Sequence, residues 1–187
     1  MAYKSIKLEI ANNIAHLVFS RPESFNSMNA DLWREIPEAI NAIDLDASAR
    51  VIVISSTGKH FCAGMDLGVF DASGPHKAAE MGRKRAHLRQ DILRLQETFT
   101  VFERARMPVI AAIQGGCIGA GVDMVTACDM RYATADAFFC IQEINLGITA
   151  DVGTLQRLPK IIAPGIAREL AYTGRRMPAQ KAKEIGW

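Results

Sequence analysis

Ile6, Leu8 and Ile10 alternate with Lys7 and Glu9, and a second apolar run follows from Ile14 to Phe19. A period of two marks strands with one face turned to a core. The Asn12-Asn13 pair between them tolerates left-handed backbone, so the two runs predict a hairpin. Arg21-Pro22-Glu23 stops the second strand. Leu32, Ile36, Ile40 and Ile43 then recur at spacings of four and three, which predicts a helix capped by Asn29 or Asp31. Val51-Ile52-Val53-Ile54 is an unbroken apolar run, the type buried on both faces of a parallel sheet. It leads into a loop containing Gly58 and Gly64.

A second helix is predicted over about 78–104, with Leu88, Ile92, Leu95, Phe99 and Phe102 along one side. Met107-Pro108 ends it, and Val109–Ile113 reads as another buried strand. Gly115, Gly116, Gly119 and Gly121 follow, then a helix to about Cys128 and a strand at Met130–Ala133. Strands alternating with helices predict an α/β fold with right-handed crossovers. No internal repeat interrupts this order. Ser73-Gly74-Pro75 is the best candidate for a mobile surface loop.

The chain has 187 residues, 49% of them hydrophobic, which suits one domain, or one domain with an appendage, around a sizeable core. A net charge of +2 says little about partners. The densest basic stretch, Arg83-Lys84-Arg85 with His87 and Arg89, falls inside a helical pattern and reads as a solvated face rather than a nucleic-acid stripe. Cys62, Cys117, Cys128 and Cys140 have neither CxxC spacing nor an adjacent histidine pair, so they read as buried thiols and not as a zinc site. No apolar run approaches the roughly 20 residues of a membrane span, and residues 1–13 resemble a strand rather than a signal peptide. The expected location is the cytoplasm, or the matrix of an organelle.

Two strand-to-loop junctions share a design. One runs from Gly58 to Leu67 and the other from Gln114 to Asp123. Ligands of open α/β sheets bind where strands end, and helix N-termini there offer free N–H groups. One such donor from each loop could hold a carbonyl oxygen as it becomes an oxyanion. The same glycines could equally serve only to make turns.

Three carboxylates lie in apolar surroundings. Asp123 sits early in a helix among Val122, Met124 and Val125, Glu143 just past the apolar stretch at 137–141, and Asp151 between Ala150 and Val152. Such settings raise carboxylate pKa values and suit acid–base work near neutrality. Asp123 could instead be a carboxylate favoured by the helix dipole, and Asp151 an N-cap.

Over essentially its whole length the chain resembles the crotonase (enoyl-CoA hydratase/isomerase) superfamily. The resemblance rests on the segment from Arg21 to Met28, the two loops, and Asp151-Val152-Gly153-Thr154-Leu155-Gln156-Arg157-Leu158-Pro159. It implies a ββα spiral fold forming a single domain over 1–187. The core would run to about 160, and 161–187 would begin a C-terminal helical trimerisation region that is largely missing from this chain.

In that family the N–H groups at the places of Met65 and Ala120 form the oxyanion hole. Many relatives carry glycine where this chain has Ala120. The resemblance puts the acyl-CoA arm against Ser24, Phe25, Asn26, Ala63, Gly64, Met65, Asp66 and Leu67, with Ala120 and Gly121 beside the thioester. The segment 69–95 would shape the acyl pocket.

The carboxylates narrow the resemblance further. Hydratases of the family activate water with two glutamates, at the places of Asp123 and Glu143, and tend to have a small residue at the place of Asp151. A third carboxylate there resembles the dienoyl-CoA isomerases, as do Cys128-Asp129-Met130-Arg131-Tyr132 and Asp136-Ala137-Phe138-Phe139. The implied reaction converts a 3,5-dienoyl-CoA to a 2,4-dienoyl-CoA in fatty-acid β-oxidation. Glu143 and Asp151 would be the acid/base pair and Asp123 an orienting partner.

No metal or redox cofactor is implied, and no nucleic-acid or membrane partner. With its C-terminal helices the protein is expected to form a homotrimer or hexamer. Rival readings are an enoyl-CoA hydratase and a non-catalytic acyl-CoA- or RNA-binding homologue. A cysteine hydrolase using Cys62 and His60 lacks an orienting partner. His16, His76 and His87 read as strand or surface residues.

Overall fold

A computed structural model describes residues 3–72 and 80–187, with the side chains of Phe70, Asp71 and Ala72 left undescribed. The expected loop at Ser73-Gly74-Pro75, together with His76 and Ala78, therefore lies outside the described residues.

The N-terminal alternation forms the predicted hairpin. Strands β1 (Ile6–Ala11) and β2 (Ile14–Phe19) pair antiparallel from Ile6↔Phe19 to Ala11↔Ile14. Asn12 and Asn13 both take positive φ, 51° and 64°, which the short polar side chain of asparagine tolerates. Helix α1 (Ala30–Asp46) starts on Asn29, whose side chain accepts the Leu32 N–H at 2.9 Å. Asp31, the other candidate cap, instead pairs with Arg34 at 3.0 Å. Leu32, Ile36, Ile40 and Ile43 are all buried, as their spacing predicts.

Strand β3 (Val51–Ser56) pairs parallel with β2. Burial on both faces was expected, but only Ile52 and Ile54 are fully enclosed; Val51 and Val53 are half-buried, so one face is only partly covered. Helix α2 (Leu67–Ala72) follows, then α3 (Met81–Arg104). The apolar stripe of α3 is buried only toward its C-terminal end. Phe99 and Phe102 are enclosed and Phe99 packs on Trp33, whereas Leu88 is 58% exposed. At 24 residues α3 is about 36 Å long, and only its C-terminal half is enclosed by the core.

Strand β4 (Val109–Ile113) pairs parallel with β3, and β5 (Gly116–Ile118) leads into helix α4 (Ala120–Thr126). Strand β6 (Met130–Ala133) completes a five-stranded sheet in the order β1-β2-β3-β4-β6. A second sheet has the order β5-β7-β8, with β7 at Phe138–Cys140 and β8 at Met177–Pro178. Helices α5 (Thr154–Arg157), α6 (Pro164–Thr173) and α7 (Ala179–Glu184) fill the remainder.

The alternation of strands and helices is the α/β architecture expected. The segment 161–187 departs from a purely helical reading, because Met177 and Pro178 pair with Phe139 and Phe138 and so extend the second sheet. Apolar residues from Ile6 to Ala182 form one buried cluster beneath these elements. All four cysteines are buried free thiols. No described helix is long and apolar enough to cross a membrane.

Candidate active site

The two glycine-containing loops lie side by side. The Cys62 N–H donates to Gly116 O at 3.2 Å, and the Ile118 N–H donates to Cys62 O at 2.9 Å. On its other side the first loop pairs with Met28, whose N–H donates to Gly64 O at 2.8 Å while the Asp66 N–H donates to Met28 O at 3.2 Å. In extended chain, successive residues point their polar groups in opposite directions. Gly64 O and Asp66 N face Met28, so the Met65 N–H faces away, and it has no acceptor among the described residues.

The second loop turns at Gly119, where φ is +53° and ψ −118°, a conformation open in practice only to glycine. Its N–H donates to Cys140 O at 2.9 Å, and its carbonyl accepts from Val122 and Asp123 as α4 begins. The Ala120 N–H, at the first helical position, has no acceptor among the described residues. A β-carbon on Gly119 would stand 3.6 Å from the Gly64 α-carbon. The Met65 and Ala120 donors thus belong to two turns in van der Waals contact.

Glu143 opens a short 3-10 turn after β7. Its Oε1 lies 3.1 Å from the β-position of Gly119, and its Oε2 is buried with no hydrogen-bond partner among the described residues. Burial, followed by the charge of Asp123, pushes its carboxyl up to about 7. Asp123 is only 1% exposed and accepts the Thr154 N–H at 2.7 Å. Burial raises it to about 6, opposed by the hydrogen bonds from Thr154 and by the Arg157 cation. Burial thus outweighs the Thr154 hydrogen bonds and the Arg157 charge at Asp123.

Asp151 is exposed, and its charge is felt at both other carboxyls. It does not cap α5, whose first residues follow Gly153 with no side-chain cap. Asp123 does that work instead, through Thr154. The three carboxylates are near enough to act on one another electrostatically, with the charge of Asp151 raising both Asp123 and Glu143 and that of Asp123 raising Glu143. Among the described residues no three His, Cys, Asp or Glu side chains could hold a metal ion.

Ser24, Phe25, Ala63, Asp66 and Leu67 form one rim, tied together where the Ala63 N–H donates to Phe25 O at 3.0 Å. Phe25 is 50% and Leu67 67% exposed. The Gly68 N–H, then Ser27 and Arg21, hold the Asp66 carboxyl below its ordinary value. Asn26 is placed differently from a ligand contact. It is fully buried, its Nδ2 donating to Thr57 O and His60 O and its Oδ1 accepting from Arg21 N. While these bonds hold, its amide cannot touch a ligand, and its effect is to shape the rim. Gly64, Ala120 and Gly121 are also buried, just beneath it.

Cys62 is buried and its thiol is pushed up to about 12, while His60 Nδ1 accepts the Gly116 N–H at 2.9 Å. A protonated, enclosed thiol beside an engaged imidazole is no nucleophile pair.

Gln96, Thr100 and Glu103, spaced four and three along α3, all face the segment 151–157. Gln96 Nε2 donates to Asp151 O at 2.7 Å, and Arg157 donates to Thr100, to Glu103 and to Val152 O. This polar stripe has a helical spacing legible in the sequence, beside the apolar stripe of the same helix.

A family model described as enoyl-CoA hydratase/isomerase matches residues 9–187. The delta(3,5)-delta(2,4)-dienoyl-CoA isomerase of human mitochondria is 48% identical over 189 residues, covering 99% of this chain and 57% of its own length. The peroxisomal enzyme of that name from Arabidopsis thaliana is 42% identical over 190 residues, covering 99% of this chain and 68% of its own. Among solved structures, an enoyl-CoA hydratase from Bacillus anthracis superposes with a TM-score of 0.85 at 34% identity, over 98% of this chain and 68% of that one.

Proposed function

The chain belongs to the enoyl-CoA hydratase/isomerase (crotonase) family, and from that premise we propose that it isomerises 3,5-dienoyl-CoA to 2,4-dienoyl-CoA in the β-oxidation of unsaturated acyl chains. The observation that carries this reading is a half-buried Glu143 beside the Gly119 turn, its Oε2 enclosed without a partner among the described residues and its carboxyl raised to about 7, with a third carboxylate, Asp151, close enough to act on it electrostatically. Isomerase relatives at 42% and 48% identity support it.

In this reading the thioester oxygen sits against the N–H groups of Met65 and Ala120. One carboxylate of the Glu143/Asp151 pair removes a proton from C2. The freed electron pair forms the C2–C3 double bond as negative charge spreads over the thioester oxygen and the diene. The C3–C4 pair shifts to C4–C5, and the former C5–C6 pair takes a proton at C6 from the other carboxylate. Atoms and electrons balance without an oxidant, reductant or metal. Each oxyanion donor is worth on the order of 100- to 1000-fold in rate in comparable acyl chemistry.

Asp123 orients rather than reacts, because its carboxylate is enclosed and engaged with Thr154. That engagement weighs against the hydratase reading, in which Asp123 and Glu143 would share a water. Ser24, Phe25, Ala63, Asp66 and Leu67 supply the rim for the coenzyme A arm. The proposed assembly is a homotrimer or hexamer, and the proposed location is the cytoplasm or an organelle matrix.

The test is to offer a 3,5-dienoyl-CoA and follow the ultraviolet absorbance of the conjugated product, with Asp151→Asn alongside. A signal that Asp151→Asn lowers by about 1000-fold or more is expected. Hydration of a 2-enoyl-CoA with no isomerisation would overturn the reading in favour of the hydratase.

A further inference from the structure

Asp151 is a reactive group that its own side chain does not hold. Its carboxylate is exposed, has no hydrogen-bond partner among the described residues, and caps nothing. A loose carboxylate is a poor proton carrier, since a displacement of about 1 Å can cost on the order of 100-fold in rate. What fixes the residue must therefore act on its main chain.

The turn 151–154 is held at three points. Thr154 N donates to Asp123 at 2.7 Å, and Val152 O accepts from Arg157 Nη1 at 3.3 Å. Arg157 is itself clamped by Glu103, at 2.7 and 2.9 Å, and by Thr100. It lies so close over Gly153 that any β-carbon there would collide with the guanidinium. Neither hold reaches Asp151 itself. The contact that does is the 2.7 Å bond from Gln96 Nε2 to Asp151 O. Gln96 lies one turn before Thr100, whose hydroxyl donates back to Gln96 O at 2.9 Å within α3.

We infer that Gln96 is a positioning residue, which fixes the Asp151 carboxylate toward Glu143 by holding the Asp151 carbonyl against α3. The inference rests on the isomerase reading given above. Gln96 does not touch the reacting atoms. Its amide sets the peptide plane after Asp151, and with it the direction from which the carboxylate leaves the chain. It follows that Gln96 acts on one proton transfer, the one Asp151 performs, and leaves the one performed by Glu143 alone.

The experiment compares the wild type, Gln96→Leu and Asp151→Asn in deuterium oxide. Label entering C2 of the 3,5-dienoyl-CoA and C6 of the 2,4-dienoyl-CoA is followed by proton NMR, together with steady-state turnover. Leucine keeps the approximate size and loses the donor. Gln96→Leu is expected to lower kcat about 10- to 100-fold with KM within about threefold. Exchange should be lost at one carbon only, the same carbon at which Asp151→Asn loses it. Equal loss at both carbons with a lower melting temperature would reduce Gln96 to a structural role, and an unchanged exchange pattern would remove even that. A wild type that exchanges at neither carbon would strike the isomerase reading, and this inference would fall with it.

Discussion

The carboxylate of Asp123 accepts the main-chain N–H of Thr154 at 2.7 Å, so α5 begins on a side chain of α4. This one bond ties the helix behind the second loop to the turn that carries Asp151. It also explains why a carboxylate can be enclosed there at all: one oxygen is satisfied, and the charge faces a helix N-terminus and Arg157.

Replacing Asp123 by alanine strands the buried Thr154 N–H, whereas asparagine keeps an acceptor oxygen in place. Loss of a buried partner costs about 1–3 kcal/mol. Urea denaturation of Asp123→Ala should show a loss of that size, and Asp123→Asn a loss below about 1 kcal/mol. Equal losses in the two variants would mean that the bond does not hold the turn.

The same pair of variants separates structure from electrostatics. After burial, the charge of Asp123 is the largest cause of the raised Glu143 carboxyl, which stands at about 7. Asp123→Asn removes that charge, so Glu143 ionises more easily. The limb of the kcat/KM–pH profile that Glu143 governs should lie near pH 7 in the wild type and move to lower pH in Asp123→Asn. A limb that stays in place, or rises, would assign it to another group.

Gly119 meets two demands at once. Its φ of +53° and ψ of −118° exclude a side chain, and a β-carbon would press on Glu143 Oε1 at 3.1 Å. Gly119→Ala must therefore shift the Ala120 N–H, the Glu143 carboxyl, or both. A fall in kcat/KM of about 100-fold or more is expected, with a stability loss of roughly 1–3 kcal/mol. A fully active Gly119→Ala enzyme would show that neither group depends on this turn.

Sequence periodicity located the hairpin, α1 and the strand Val109–Ile113, because each is dictated by which residues must leave water. The two loops and three carboxylates were legible as candidates through residue type and position. Three features were not. The Leu88 end of α3 carries an apolar pattern that the described chain leaves exposed, and periodicity cannot say what a stripe packs against. The exchange of capping roles between Asp123 and Asp151 depends on a contact between residues 31 positions apart. Asn26 reads as a polar residue of a binding segment, but it is turned inward by φ of +54° and by three hydrogen bonds. A residue's type and neighbours do not reveal the direction of its side chain in a left-handed turn.

Glu143 makes a final prediction that needs no substrate. Its carboxyl rises from an ordinary 4.5 to about 7 in the folded chain, by burial first and by the charge of Asp123 second. Between those values the native protein holds a proton that the unfolded chain has released. Stability linked to this group is therefore complete below pH 4.5, falls as pH rises through the window, and is lost above about pH 7. Glutamine mimics the protonated form at every pH. Glu143→Gln should thus melt higher than the wild type at pH 8, by roughly 2–4 °C for each kcal/mol recovered, and the gap should close at about pH 4. Asp123 titrates in both proteins, so its contribution cancels to first order in the difference. Thermal melts of the two proteins across this range read the effect directly. A gap that persists unchanged at pH 4 would locate the gain in packing rather than in the buried charge, and would remove the main physical support for Glu143 as a proton carrier near neutrality.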